Sequence, residues 1–228
     1  MQIQNNVLRH YLRNCYFIDG TAYAGKSTMC KMLAERFDLI HCGENYGADG
    51  FMQIAEPQTQ PNLTYMRLLT DWQQFLNRTP EEYSAWIDGN SRELADFEVA
   101  ELISISAERK VIVDTNIPLE ILREISDYNR VAIMLAPQSI SIDNFFDRDD
   151  PEKQFLLGEI QKSADPKATM ANFKACLTRL NSQETYDAYL NSGFFTIVRE
   201  DLETDRREET LAKLAAHFGF ASDTLVLK

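Results

Sequence analysis

Nine residues near the amino end, Gly20-Thr21-Ala22-Tyr23-Ala24-Gly25-Lys26-Ser27-Thr28, restrict this chain more than any other stretch. An apolar run, Cys15-Tyr16-Phe17-Ile18-Asp19, precedes them, and Met29, Met32, Leu33 and Phe37 follow at helical spacing. The spacing therefore predicts strand, tight turn and helix in succession. Gly20 and Gly25 let the backbone double back and come close to a ligand. Successive N–H groups then face one concavity, and the helix adds the positive end of its dipole. Such a loop cradles phosphates, with Lys26 reaching the β- and γ-phosphates and Ser27 set to ligate Mg²⁺. The expected ligand is Mg·ATP, held by residues 20 to 28.

Strand-like and helix-like segments alternate through most of the remaining chain. Strands are expected at 39–42, 111–114, 130–136 and 194–198, and helices at 63–77, 119–125, 139–146, 152–162, 167–190 and 204–218. Thr79-Pro80-Glu81-Glu82 is a helix start, and that helix is expected to run toward Glu108 with a break or bend near Asp88-Gly89-Asn90. Residues 43–61, punctuated by Gly43, Gly47, Gly50, Pro57 and Pro61, read as a long irregular loop. The pattern is α/β: a mainly parallel sheet of five strands with helices on both faces.

With 228 residues, the chain fits one domain. Its formal net charge of −12 argues against nucleic acid as a partner, because a phosphate backbone needs a basic face. Cys15, Cys30, Cys42 and Cys176 have no ligand spacing and read as reduced thiols. Residues 1–14 are polar and carry Arg9 and Arg13. With no signal-like core and no apolar run of spanning length, a cytoplasmic protein without membrane contact is expected. Oligomeric state leaves no trace in the sequence, and a homodimer is compatible with it.

Asp114 closes the run Val111-Ile112-Val113. In a parallel sheet the carboxyl ends of the strands lie together, so Asp114 is expected near the loop, as a Mg²⁺ ligand or orienting an acceptor hydroxyl. With these parts in place the chain resembles the small P-loop kinases, both the nucleoside- and nucleotide-kinase-like and the shikimate-kinase-like ones. The resemblance rests on residues 20–28, on Asp114, and on Asp147-Arg148 after the fourth strand, where such kinases carry a mobile lid. It implies a three-layer P-loop NTPase fold with a small helical lid at about 138–165 and an acceptor-binding region at about 43–108. It also implies ATP with Mg²⁺ as donor and a small molecule as acceptor. The lid departs from the family pattern: Arg148 is its only arginine, flanked by Asp147, Asp149 and Asp150.

The expected catalytic residues are Lys26, Asp114, Arg148 and Glu44, the last near a strand's carboxyl end where it can accept a proton. Ser27 and Asp114 are the expected metal ligands. Arg199, closing the fifth strand, is expected to stack on the nucleotide base. Arg67 and Trp72 are candidates for contact with the acceptor, and a plain amphipathic helix accounts for them equally well. The activity expected is transfer of the γ-phosphoryl group of ATP to a small acceptor, with nucleosides and nucleotides among the candidates. The competing reading is a regulatory P-loop NTPase with no small acceptor.

Overall fold

The segments Val111–Asp114 and Val131–Leu135 are buried at every residue, as strands covered on both faces must be. In the computed structural model, residues 3–143, 145–146, 151–200 and 204–220 are described. The amino-terminal half holds α1 (Asn5–Tyr11), β1 (Cys15–Gly20), α2 (Lys26–Phe37), β2 (Ile40–Cys42), α3 (Ala48–Ile54), α4 (Tyr65–Leu68), α5 (Trp72–Leu76) and α6 (Pro80–Ile105). The carboxyl-terminal half begins with β3 (Val111–Asp114), α7 (Leu119–Ile125), a 3₁₀ turn (Tyr128–Arg130) and β4 (Val131–Leu135). It continues with α8 (Gln138–Asp143), α9 (Pro151–Gln161), α10 (Pro166–Leu180), α11 (Gln183–Leu190), β5 (Phe195–Val198) and α12 (Arg207–Phe218).

The five strands form one parallel sheet in the order β2-β3-β1-β4-β5. Side chains alternate between its faces. Ile18, Ile112, Ala132 and Met134 pack on one side with Leu33 of α2 and Leu211 and Leu214 of α12. Phe17, Val113 and Ile133 pack on the other with Ala95 and Leu102 of α6 and Leu122 and Ile125 of α7. The chain leaves β1 on the first face and β3 on the second, and a crevice opens at the carboxyl ends between such diverging connections.

Beyond that edge stands a helical cap. Its core is Phe75, Leu76, Tyr83, Ile160, Phe173, Cys176 and Leu177, drawn from α5, α6, α9 and α10. The helix α6 joins cap to sheet without interruption, so the expected break at Asp88-Gly89-Asn90 does not occur. The internal glycine costs only about 1 kcal/mol of helix propensity, and packing at Tyr83 on one side and Leu94 and Ala95 on the other outweighs it. The start of α6 is the expected capping box: Thr79 Oγ1 accepts from the Glu82 N–H, and Glu82 Oε2 accepts from the Thr79 N–H at 2.8 Å.

Three other segments depart from the sequence expectation. Residues 63–77 form two short helices because the Asp71 carboxylate caps a new start at α5, accepting from the Gln73 N–H. Residues 167–190 divide at Ser182, whose hydroxyl caps α11. The irregular stretch 43–61 contains α3, held by Phe51 stacked on Phe97 of α6. A further helix, α1, occupies the polar amino-terminal stretch, where the sequence pattern marks none.

Gly20 is the tightest point of the fold. Its φ is +132°, and a Cβ there would lie 1.9 Å from the Met134 carbonyl oxygen. Gly158, inside α9, is open by contrast: a Cβ there would have nothing within 4 Å. Urea unfolding should therefore show Gly20→Ala destabilised by more than about 2 kcal/mol. Gly158→Ala should be stabilised by about 0.5–1 kcal/mol.

Candidate functional site

The loop after β1 is pinned to β4. The Thr21 N–H donates to Met134 O at 3.0 Å, and Thr21 Oγ1 accepts from the Ala136 N–H at 2.8 Å. At Gly25 the backbone turns through φ +93° into α2, a left-handed conformation suited to glycine. Lys26 is the first residue of that helix and is nearly buried. Its ammonium donates to Gly20 O at 3.1 Å and Thr21 O at 3.4 Å, so it lies folded over the loop. Backbone N–H groups, helix start and ammonium thus converge on one concavity.

The end of β3 brings Asp114 to the foot of this loop. Ser27 Oγ donates to Asp114 Oδ2 at 2.5 Å. The other oxygen, Oδ1, is buried and has no hydrogen-bond partner among the described residues. Burial pushes the Asp114 carboxyl up, opposed by the Ser27 hydrogen bond and Lys26 and reinforced by Glu44. A hydroxyl beside a carboxylate with a spare oxygen fits Mg²⁺, which is held by one or two carboxylates and takes its other ligands from phosphates and water. Among the described residues no group of three or more His, Cys, Asp or Glu forms a self-sufficient metal cage.

On the α2/α12 side of the loop lies a cavity of about 520 Å³, lined by Ala24, Gly25, Thr28, Met134, Ile197 and Arg199 among others. The Arg199 backbone N–H donates to Leu135 O at 2.7 Å, and its guanidinium reaches Tyr23 O at 3.5 Å. Arg199 thus borders the loop. Glu44 is exposed at the end of β2, where it accepts from Asn116 Nδ2 at 3.1 Å. Arg148 lies outside the described residues, as do residues 147–150 of the expected lid as a whole; the segments on either side form α8 and α9. The Arg67 guanidinium donates to Met52 O and, at 3.0 Å, to Ala55 O, closing the carboxyl end of α3. Trp72 packs edge-on against Phe75 and Phe155 in the cap. All four cysteines are free and buried.

Two further buried acids lie near the loop. Asp19 is 1% exposed; its Oδ1 accepts from the Gly20 N–H at 2.6 Å and from the Tyr189 hydroxyl at 3.5 Å. Burial raises its carboxyl to about 7, against the pull of Lys26 and the Gly20 N–H. Glu98 of α6 is 4% exposed. Burial, then Asp19 and Glu101, push its carboxyl up to about 7. The signal that singled out Asp114, an acid closing an apolar run, is equally present at Asp19. Glu98 has no comparable signal, since an acid on an amphipathic helix reads as solvent-facing.

No protein-family model matches the sequence, and no curated protein matches it. Among solved structures the chain is similar to shikimate kinase from Bacteroides thetaiotaomicron, with 13% identity over 88% of this chain and 95% of that one, at a TM-score of 0.43. A likeness of that size does not bear on activity. Among the described residues no helix is long and apolar enough to cross a membrane.

The raised carboxyls predict a pH dependence with a definite sign. Below about pH 4 both acids are protonated whether the chain is folded or not. Between there and about 7 the unfolded chain releases these protons and the folded chain retains them, so their contribution to stability is lost as pH rises. Glu98→Gln escapes its share of that loss. Its melting temperature should exceed that of the wild type at pH 8, by a margin that shrinks at pH 5.5.

Proposed function

We propose that this chain transfers the γ-phosphoryl group of ATP to a small-molecule acceptor. The observation that carries the reading is the 2.5 Å hydrogen bond from Ser27 to Asp114, directly beside the folded-over Lys26 ammonium. It joins the loop that would hold phosphates to the strand end that would hold their divalent cation.

In this reading the backbone N–H groups of residues 22–28 receive the phosphates, those of Gly20 and Thr21 being held by Asp19 and Met134, and Lys26 swings from Gly20 O and Thr21 O to the phosphate oxygens. The cavity beside Ala24, Thr28 and Arg199 takes the nucleoside, with Arg199 against the base. Ser27 Oγ and the Asp114 carboxylate would hold Mg²⁺, which when bound neutralises charge on the phosphate oxygens. Arg148 is the lid arginine of the reading. Rate enhancement comes from positioning and electrostatics, with little covalent work for the protein.

The acceptor hydroxyl needs a group to orient it and take its proton. Asp114 is engaged with Ser27, and Glu44 is exposed and paired with Asn116. Asp19 is better placed. It adjoins the loop, lies within electrostatic reach of Lys26, and is held near 7, where a carboxyl exchanges protons readily at neutral pH.

The test is consumption of Mg·ATP with and without pooled nucleosides, nucleoside monophosphates, sugars and hydroxy acids. One pool should accelerate turnover. Lys26→Ala should lower the accelerated rate by at least about a hundredfold, and Asp114→Asn should weaken its dependence on Mg²⁺. If nucleotide binds through Lys26 and no pool changes turnover, the chain is a regulatory nucleotide-binding protein instead.

A further inference from the structure

Among the described residues, three other than glycine have a positive φ: Tyr23, Asp38 and Asn45. Asp38 ends α2 and Asn45 lies in the turn after β2, and short polar side chains accept that conformation readily. Tyr23 is different. A bulky side chain at φ +63° is strained, and such strain persists only where the surroundings impose it. Here they do. Thr21 is tied to β4 on one side of Tyr23, and Ala24 is buried in the core on the other, so residues 22 and 23 must make the turn.

Glycine makes such a turn without strain, and the loop already uses it at Gly20 and Gly25. A tyrosine at the crest therefore calls for a use of its side chain. The rest of the crest offers little. Ala22 and Ala24 carry methyl groups, Gly25 carries none, and the Thr21 hydroxyl is engaged by the Ala136 N–H. The Tyr23 phenol is the one long polar side chain between Thr21 and Lys26.

Its position selects its partner. The loop straddles β1, with β3 on one side and β4, then β5, on the other. On the β3 side stand Ser27 and Asp114, the pair that fits Mg²⁺. Tyr23 stands on the other side: its carbonyl accepts from the guanidinium of Arg199, which follows β5, at 3.5 Å. Ala24 and Gly25 line the cavity of about 520 Å³, and Tyr23 does not, so its half-buried ring lies outside the nucleoside's space. That leaves it beside the terminal phosphate, on the flank opposite Mg²⁺. A γ-phosphoryl group in transfer spreads its charge over three oxygens, and Mg²⁺ and Lys26 do not surround all of them. The expected lid is poor in donors for the remaining flank, since Arg148 is its only arginine and stands in sequence among Asp147, Asp149 and Asp150. A phenol on the loop itself meets that lack: its O–H gives a strong hydrogen bond to an anionic oxygen.

Resting on the kinase reading, we propose that Tyr23 is a further catalytic residue, whose hydroxyl donates to the non-bridging oxygen of the γ-phosphoryl group turned away from Mg²⁺. The hydroxyl keeps its proton throughout, and its contribution is positional and electrostatic.

The experiment measures, by calorimetry, binding of the Mg²⁺ complexes of ADP and of β,γ-imido-ATP to the full chain and to Tyr23→Phe, which keeps ring and backbone and removes only the hydroxyl. Affinity for the imido analogue should fall about tenfold, and that for ADP should hold within about twofold. Tyr23→Asn accepts the positive φ but is too short to reach, and should show the same selective loss. In the pooled-acceptor assay with ATP, Tyr23→Phe should lower kcat at least about tenfold and leave the acceptor KM in place. The proposal falls if the two nucleotides weaken alike, which is the mark of a structural role, or if either variant binds the imido analogue as tightly as the wild type. If the selective loss appears and no acceptor is ever phosphorylated, the assignment of Tyr23 to the terminal phosphate stands and the kinase reading falls.

Discussion

The Thr21 amide donates to the Met134 carbonyl at 3.0 Å, and Gly20 passes so near that carbonyl that no side chain fits between them. This close passage of β1 along β4 fixes where the chain leaves the sheet. Because β1 is the central strand, with β3 on its other side, the turn emerges between Asp114 and the end of β4. The helix that follows must then pack on one face, and its second residue, Ser27, meets Asp114. A residue with a Cβ at position 20 would push the turn away from β4 and separate that pair. The fold and the site therefore depend on the same backbone contact.

The electrostatics of the site follow from what is gathered there. One ammonium, Lys26, faces two buried carboxylates, Asp19 and Asp114, in a chain of net charge −12. Desolvation raises both acids in spite of Lys26, so the ammonium alone does not neutralise them. Burial of unpaired charge is costly enough that such groups shift toward neutrality. A free triphosphate would meet repulsion at this point. A triphosphate carrying its divalent cation would meet a hydroxyl, a spare carboxylate oxygen and a row of N–H groups. The arrangement favours the complexed nucleotide over the free one, which accords with the proposed donor.

The sequence made legible what is encoded within a few residues. The loop 20–28, the five strands, Asp114 and the capping box at Thr79 are all local patterns, and the structure places each where its pattern implies. Helix boundaries inside 43–77 and 167–190 were less legible, because Asp71 and Ser182 each compete for the backbone and a cap was not distinguished from an interior polar residue. Glu98 was hidden for a different reason. Its burial depends on α6 running unbroken from cap to sheet, so that a stripe apolar at Ala95 and Leu102 also carries an acid under the cap. No window of sequence contains that information. Arg67 and Trp72, read equally well as parts of an amphipathic helix, have partners in α3 and in the cap's own core.

The pleat of the sheet sends Asp19 and Asp114 to opposite faces. In the β1–β3 register Ile18 stands opposite Asp114, so Asp114 and Ile18 share a face, and Asp19, one residue on, must take the other. That single step sends Asp114 toward Ser27 and the nucleotide cavity and Asp19 toward Tyr189 and Glu98. A slip of one residue in the pairing would exchange the faces and bring both acids' partners out of reach. Two carboxylates at neighbouring strand ends thus acquire different surroundings from alternation alone: one beside the Ser27 hydroxyl, the other beside a phenol and a buried acid. The loop and Lys26 stand between them, with the ammonium acting on both carboxyls.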